Sequence, residues 1–302
     1  MQYEFANVKV KDRSVRYVTP KGGAMIRFSQ IAAMNLHYQR YSFRYFVESV
    51  KRLGLNTYEL WMGAPHFYNY YNEKNHNAIN NIKQLNRDYG LEIVCVTPEQ
   101  CVYPVNIASS DKELREYSIQ YFRNYIEQTA ELEVRRMLTS AGWGNYNEEE
   151  AATWAIATDS FGRLLRVAEK EGVEVAFEIL LPYESNVVYN LETLQRMLDT
   201  FDSPNLKCAL DTVPISYEGK TLDEYFQHFK EQISHIHLID GKPDGHLSWG
   251  DGEQPLDQHL ATLDRYGYEG AITIEIADQQ YWNDPEKALA QSLAAIRQYV
   301  EE

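Results

Sequence analysis

The sequence predicts a single (β/α)8 barrel, and three observations carry the prediction. Eight short apolar runs alternate with longer amphipathic segments, the pattern of repeated β-α units. Glycines close several of the amphipathic segments just before the next run, as short αβ loops require. No glycine-rich phosphate loop follows the first run, as it usually does in an open doubly wound sheet.

In chain order, strands are expected over residues 25–34, 57–61, 91–97, 135–140, 173–180, 206–211, 233–239 and 271–276. After the first run, "SFRYFVESVKRLG" sets Tyr45, Phe46, Val50 and Leu53 on one side of a helix, and Gly54 stands where a C-cap belongs. Gly90, Gly172 and Gly267 mark the same stop before the third, fifth and eighth runs. Residues 1–24 stand outside the repeat as an N-terminal extension; "VKVKDRSVRYV" alternates like a small hairpin, with a frayed tail as the other reading. Residues 25–302 form the barrel domain, and no linker, low-complexity tract or close repeat divides them.

The chain has 302 residues, 44% hydrophobic and 24% charged, enough to bury a large core. Its formal net charge of −15 argues against a nucleic-acid surface, because phosphates are held chiefly by Lys and Arg. No run approaches the roughly 20 apolar residues of a membrane span. The N-terminus lacks the apolar stretch of a signal peptide, so cytoplasmic residence is expected. Cys95, Cys101 and Cys208 form neither a CxxC pair nor an even set, so reduced thiols are expected. An aromatic content of 13%, with 23 tyrosines, favours self-association into a homo-oligomer.

In such barrels the chemistry sits at the carboxyl ends of the strands. Alternation in "VEVAFEIL" turns Val175, Phe177 and Ile179 one way and Ala176 and Glu178 the other. "LKCALD" ends in Asp211, "ISHIHLID" carries His235 and His237 on one face, and "AITIEI" turns Thr273 and Glu275 inward. Four consecutive strands thus end in Glu178, Asp211, His237 and Glu275. Each unpaired buried charge costs several kcal/mol, and three carboxylates, at roughly 10 kcal/mol, rival the whole stability of a domain. A cation must sit among them. An ion-pair cluster is one answer, but the other strand ends (Trp61, Thr97, Ser140) offer no basic residue and Lys242 lies some way into a loop. A divalent metal answers directly, since carboxylate oxygens with one imidazole nitrogen suit Mn²⁺, Co²⁺, Mg²⁺ or Zn²⁺, and Mn²⁺ is the ion expected. His235, one layer deeper, is expected to pack or to support His237.

A Glu, Asp, His, Glu set on strands five to eight resembles the sugar isomerase and epimerase superfamily of xylose-isomerase-like barrels. The likeness runs from about residue 25 to 299, and "YELWMGAPHFY", "TPEQCVYPVN", "FEILLPYESNVV", "HIHLIDGKPDGHLSWGDGE" and "DRYGYEGAITIEI" are most similar to the fructoselysine-type epimerases within it. The resemblance implies that Glu178, Asp211, His237 and Glu275 bind a divalent metal while Glu178 and Glu275 form the proton-transfer pair. It implies inversion of C3 of a ketose or Amadori-type sugar amine, such as fructoselysine, through a cis-enediolate: one carboxylate abstracts the proton and a second acid returns one to the other face. Glu184, His246 and His66 are the expected contacts to a small sugar substrate. Many ketose epimerases carry a histidine three residues after the strand-six aspartate, where this chain has Pro214; an arginine found in the loop after strand seven of some relatives is also missing.

Other activities share this frame. An aldose–ketose isomerase or a keto-inositol dehydratase would use the same four ligands. An abasic-DNA endonuclease would need a larger histidine-rich zinc cluster and a basic groove, at odds with eight histidines and the acidic balance. A barrel that binds a sugar or protein without turnover would keep the acids for structure alone.

Overall fold

Parallel strands cannot be joined by tight turns, so between consecutive apolar runs the chain must cross the sheet, and helices fill those crossovers. The computed structural model describes residues 26–101 and 105–301; the hairpin expected within residues 1–24 lies outside them. Among the described residues the strands β1 (Ile31–Met34), β2 (Thr57–Met62), β3 (Glu92–Pro98), β4 (Arg136–Thr139), β5 (Glu174–Glu178), β6 (Leu206–Asp211), β7 (Ile233–His237) and β8 (Ile272–Ile274) pair in parallel. They close a barrel in chain order, with β1 pairing β8. Around them run α1 (Phe43–Arg52), α2 (His76–Tyr89), α3 (Lys112–Glu131), α4 (Glu150–Glu171), α5 (Leu191–Asp199), α6 (Thr212–Tyr217), α7 (Leu222–Phe229), α8 (Leu256–Arg265) and α9 (Pro285–Ile296). None of the described helices is long and apolar enough to cross a membrane.

The expected (β/α)8 architecture is therefore present, with shorter strands than the apolar runs suggest. The first run was expected to be extended over 25–34, yet Phe28–Gln30 form a 3-10 turn and β1 starts only at Ile31. The reason is a tie to the chain's other end: Phe28 N–H donates to Glu301 O at 2.6 Å and Glu301 N–H to Ile26 O at 2.9 Å. At the carboxyl ends, Ile179, Leu180, Leu238, Ile239 and Ile276 remain buried although they lie beyond β5, β7 and β8. Hydrophobicity reports burial there, not strand pairing, because the chain is turning into the loops above the barrel. Gly90 and Gly172 end α2 and α4 in the left-handed conformation (φ 60° and 69°), which a residue with a Cβ adopts only at a cost.

Alternation along the strands sorts side chains as the sequence implies. Val175, Phe177, Leu210, Ile272 and Ile274 join the large core between barrel and helices. Cys95, Leu138, Ala176 and Ala209 form a separate small cluster inside the barrel. Small alanines at 176 and 209 leave room for larger polar side chains in the adjoining interior. A register shift between Cys208 and Ala209 sets His235 beside Ala209 and His237 beside Asp211, which brings the last inward residues of β6 and β7 to one level.

In the outer layer Phe161 of α4 is fully buried, edge-on to Phe177 at 4.8 Å and to Phe201 at 5.3 Å between ring centroids. Phe161→Ala is expected to lower unfolding free energy by about 3–5 kcal/mol, read as a fall in urea midpoint; a shift under about 1 kcal/mol would contradict the packing described.

Candidate active site

The interior of the barrel at its carboxyl end is acidic because four strands deliver their last inward side chain to one volume. Glu178 closes β5, Asp211 closes β6, His237 closes β7, and Glu275 follows β8 by one residue. One donor atom of each lies within 4.8 Å of the others. His237 Nδ1 is 2.9 Å from Glu178 Oε1 and 2.8 Å from Glu275 Oε2. Asp211 caps α6 by accepting from Val213 N–H at 2.7 Å, while its other oxygen accepts from His246 Nε2 at 3.0 Å. His246 Nε2 also lies 3.6 Å from Glu275 Oε2. Among the described residues the cationic groups at ion-pair distance from Glu178, Asp211 and Glu275 are His237 and His246, and no guanidinium or ammonium joins them.

Burial and mutual repulsion dominate the electrostatics. Burial raises the Glu178 carboxyl to about 8, with His237 opposing and Glu275 and Asp211 adding to the rise. Burial depresses His237, but the carboxylates of Glu275, Glu59 and Glu178 more than offset it and hold the ring well above its ordinary value. His246 is likewise depressed by burial and lifted further by Asp211, reaching about 10.

These donors also suit an ion. Glu178 Oε1 and His237 Nδ1 are buried, face each other, and make no hydrogen bond. Two unsatisfied buried polar atoms that close mark a place where a third partner belongs. Three carboxylate oxygens and one imidazole nitrogen form a donor set for a divalent cation.

Of the other expected site residues, His246 joins the cluster through Asp211, and Glu184 stands nearby. Glu184 is half-buried in the loop after β5, its Oε2 accepting from Leu181 N–H at 3.0 Å. Burial raises its carboxyl, with His246, Asp211 and Glu275 all close enough to act on it. His66 is engaged elsewhere: its Nδ1 accepts from Asn35 Nδ2 at 2.8 Å and its Nε2 donates to Tyr41 O at 3.0 Å. Asn35 in turn brackets the Trp61 backbone, accepting from its N–H and donating to its C=O. His66 therefore ties the loop after β2 to the end of β1.

Sequence reasoning missed two residues. Glu59 lies fully buried in β2, and Nε2 of both His235 (2.6 Å) and His237 (3.0 Å) reaches its Oε2. Its signal was a lone charge within the apolar run "TYELWM". Asp240, just past β7, organises the loop that carries His246: Oδ1 accepts from Gly241 and Gln254 N–H, and Oδ2 from Gly250 and Gly252 N–H, each at 2.9 Å. A Cβ at Gly252 would stand 2.3 Å from Asp240 Oδ1, so only glycine allows the approach. Ala277 N–H donates to His246 O at 3.1 Å, joining this loop to the stretch beyond Glu275.

Residues 47–299 match the family of xylose isomerase-like TIM barrels. The chain is 28% identical over 262 residues to fructoselysine 3-epimerase of Shigella flexneri, a match covering 86% of this chain and 94% of the relative. In fold it is similar to apo 3-keto-D-glucoside 4-epimerase from E. coli, with TM-score 0.74 and 18% identity over 89% of this chain and 99% of the other. It is also similar to D-psicose 3-epimerase with D-tagatose from Clostridium cellulolyticum H10, at TM-score 0.71 and 19% identity over 90% and 99%.

Two outcomes follow from the geometry. In chelator-treated protein the groups with raised values, Glu178 (4.5 to about 8), His246 (6.5 to about 10) and His237, hold protons in the folded state that the unfolded chain has released by pH 7. Stability should therefore fall between pH 7 and 9, on the order of 1 kcal/mol per pH unit. Buried His37 and His259, lowered to about 3 and about 4, oppose this only below their ordinary 6.5. Urea midpoints at pH 7, 8 and 9 check it, and a flat or rising series contradicts it. Asp240→Ala should cost about 1–3 kcal/mol and speed amide exchange at Gly250, Gly252 and Gln254; unchanged exchange there would remove the organising role.

Proposed function

The chain belongs to the xylose isomerase-like TIM barrels and is an enzyme, and from that premise we propose that it inverts C3 of a ketose or of an Amadori-type sugar amine. The observation that carries the reading is the convergence of two carboxyl groups, Glu178 and Glu275, on one imidazole nitrogen. Glu178 arrives from β5 and Glu275 from the end of β8, strands that are not neighbours in the barrel, so the two groups enter the site from separate walls. Glu178, Asp211, His237 and Glu275 would hold a divalent ion, Mn²⁺ by preference, which when bound supplies Lewis acidity to the substrate's carbonyl and adjacent hydroxyl.

The protein's own groups do the proton work. One of the two glutamates takes the proton from the carbon beside the carbonyl, and the other, as the acid, returns one to the opposite face. Burial raises the Glu178 carboxyl to about 8 in the metal-free protein, and a bound cation would draw it back down, toward the carboxylate that accepts a proton. Asp211 is held in place by Val213 N–H and His246, so its carboxylate cannot swing away. His246 and Glu184, on the loops after β7 and β5, would be the groups that hydrogen-bond substrate hydroxyls; His246 near Glu275 supports that reading. A cationic amine on the sugar suits a protein of net charge −15. The 28% likeness to fructoselysine 3-epimerase supports fructoselysine as the first substrate to try.

Purified protein with Mn²⁺ and fructoselysine in D₂O should place deuterium at C3, followed by NMR. Glu178→Gln and Glu275→Gln should each slow that exchange about 10²–10⁴-fold with the circular dichroism unchanged. No exchange at C3 of fructoselysine or of free ketoses would overturn the reading.

A further inference from the structure

Beneath the four donors lies a second polar constellation that the proton chemistry does not use. Glu59, His235 and His237 are all fully buried. Glu59 Oε2 takes hydrogen bonds from His235 Nε2 at 2.6 Å and His237 Nε2 at 3.0 Å; Oε1 lies 3.2 Å from His237 Nε2 and accepts from Thr97 Oγ1. Thr273 Oγ1 is 3.2 Å from His235 Nε2. A carboxylate flanked by two imidazoles deep in a barrel is poor stabilisation, since apolar side chains of similar volume are usually neutral or better there. Cys95, Leu138, Ala176 and Ala209 show that the same interior is otherwise filled in the apolar way.

The geometry explains the exception. A carboxylate facing His237 Nε2 requires the hydrogen on that nitrogen, which leaves Nδ1 and its lone pair directed at Glu178 and Glu275. We propose that Glu59 is the positioning residue of the site: from inside the barrel it fixes the orientation of the His237 ring and sets the affinity for the bound cation without touching it. His235 and Thr97 hold Glu59 in turn, so the chain of contacts runs from β3 and β7 through β2 to the ligand.

This inference rests on the metal reading of the four-donor cluster, and the experiment separates the two. Mn²⁺ binding is measured by titration calorimetry on wild type and on Glu59→Gln, whose neutral amide has one acceptor oxygen for two imidazoles and no negative charge. Affinity should fall about 10–100-fold while far-UV circular dichroism of the metal-free protein is unchanged. Wild type that binds Mn²⁺, with E59Q binding within twofold of it, overturns this inference alone; wild type that takes up no Mn²⁺ overturns the metal reading and this inference with it. Should E59Q fail to fold, the wild-type protein decides. Loaded with Zn²⁺ and labelled with ¹⁵N-histidine, it should show the His237 hydrogen on Nε2 and a metal-shifted Nδ1, whereas a hydrogen on Nδ1 refutes the proposal.

Discussion

His237 Nδ1 stands between two carboxylates, 2.9 Å from one and 2.8 Å from the other, in a place with almost no access to water. With Asp211 and Glu59 close by, four acids crowd a region that holds three imidazoles at ion-pair distance, those of His235, His237 and His246, and no other cation among the described residues. Buried charge of one sign is destabilising unless it is paired or neutralised. The surroundings respond in both ways: Glu178 holds its proton to higher pH, and His237 and His246 hold theirs as well. Glu59 goes the other way, for burial would raise it, but the two imidazoles more than offset that and hold it well below the usual range.

Glu59 and Glu178 meet opposite ring nitrogens of His237, and their surroundings push their proton affinities in opposite directions. Groups whose surroundings push their proton affinities apart can take unlike roles at one pH. Here the separation arises from position alone. Glu59 faces two imidazoles and the Thr97 hydroxyl, whereas Glu178 shares a single imidazole with another acid.

Holding such a site together falls to the loops. Asp240 draws four backbone N–H groups onto one carboxylate and so fixes the segment that carries His246. Asn35 and His66 do the same between the ends of β1 and β2. Most of these bonds go to backbone groups and so fix the path of the loops above the barrel, which also bury core residues such as Ile179, Leu238 and Trp249.

Much of this was legible in the chain itself. Period-two alternation in "VEVAFEIL", "LKCALD", "ISHIHLID" and "AITIEI" sufficed to send Glu178, Asp211, His237 and Glu275 to the inner face, because a strand permits only two directions for a side chain. The eight runs and their glycine stops sufficed for the (β/α)8 barrel. Strand lengths were overestimated at 25–34 and 173–180 because apolar residues continue beyond hydrogen-bonded pairing, and a sequence does not announce where pairing stops. The roles of Glu59, Asp240 and His66 were decided only by the tertiary structure. Each depends on a partner far along the chain or on backbone N–H groups, which every residue but proline possesses and which no residue type reveals: Glu59 meets His235 across 176 positions. Alternation along one strand is a local property; which strand faces it across the barrel is settled only when the barrel closes.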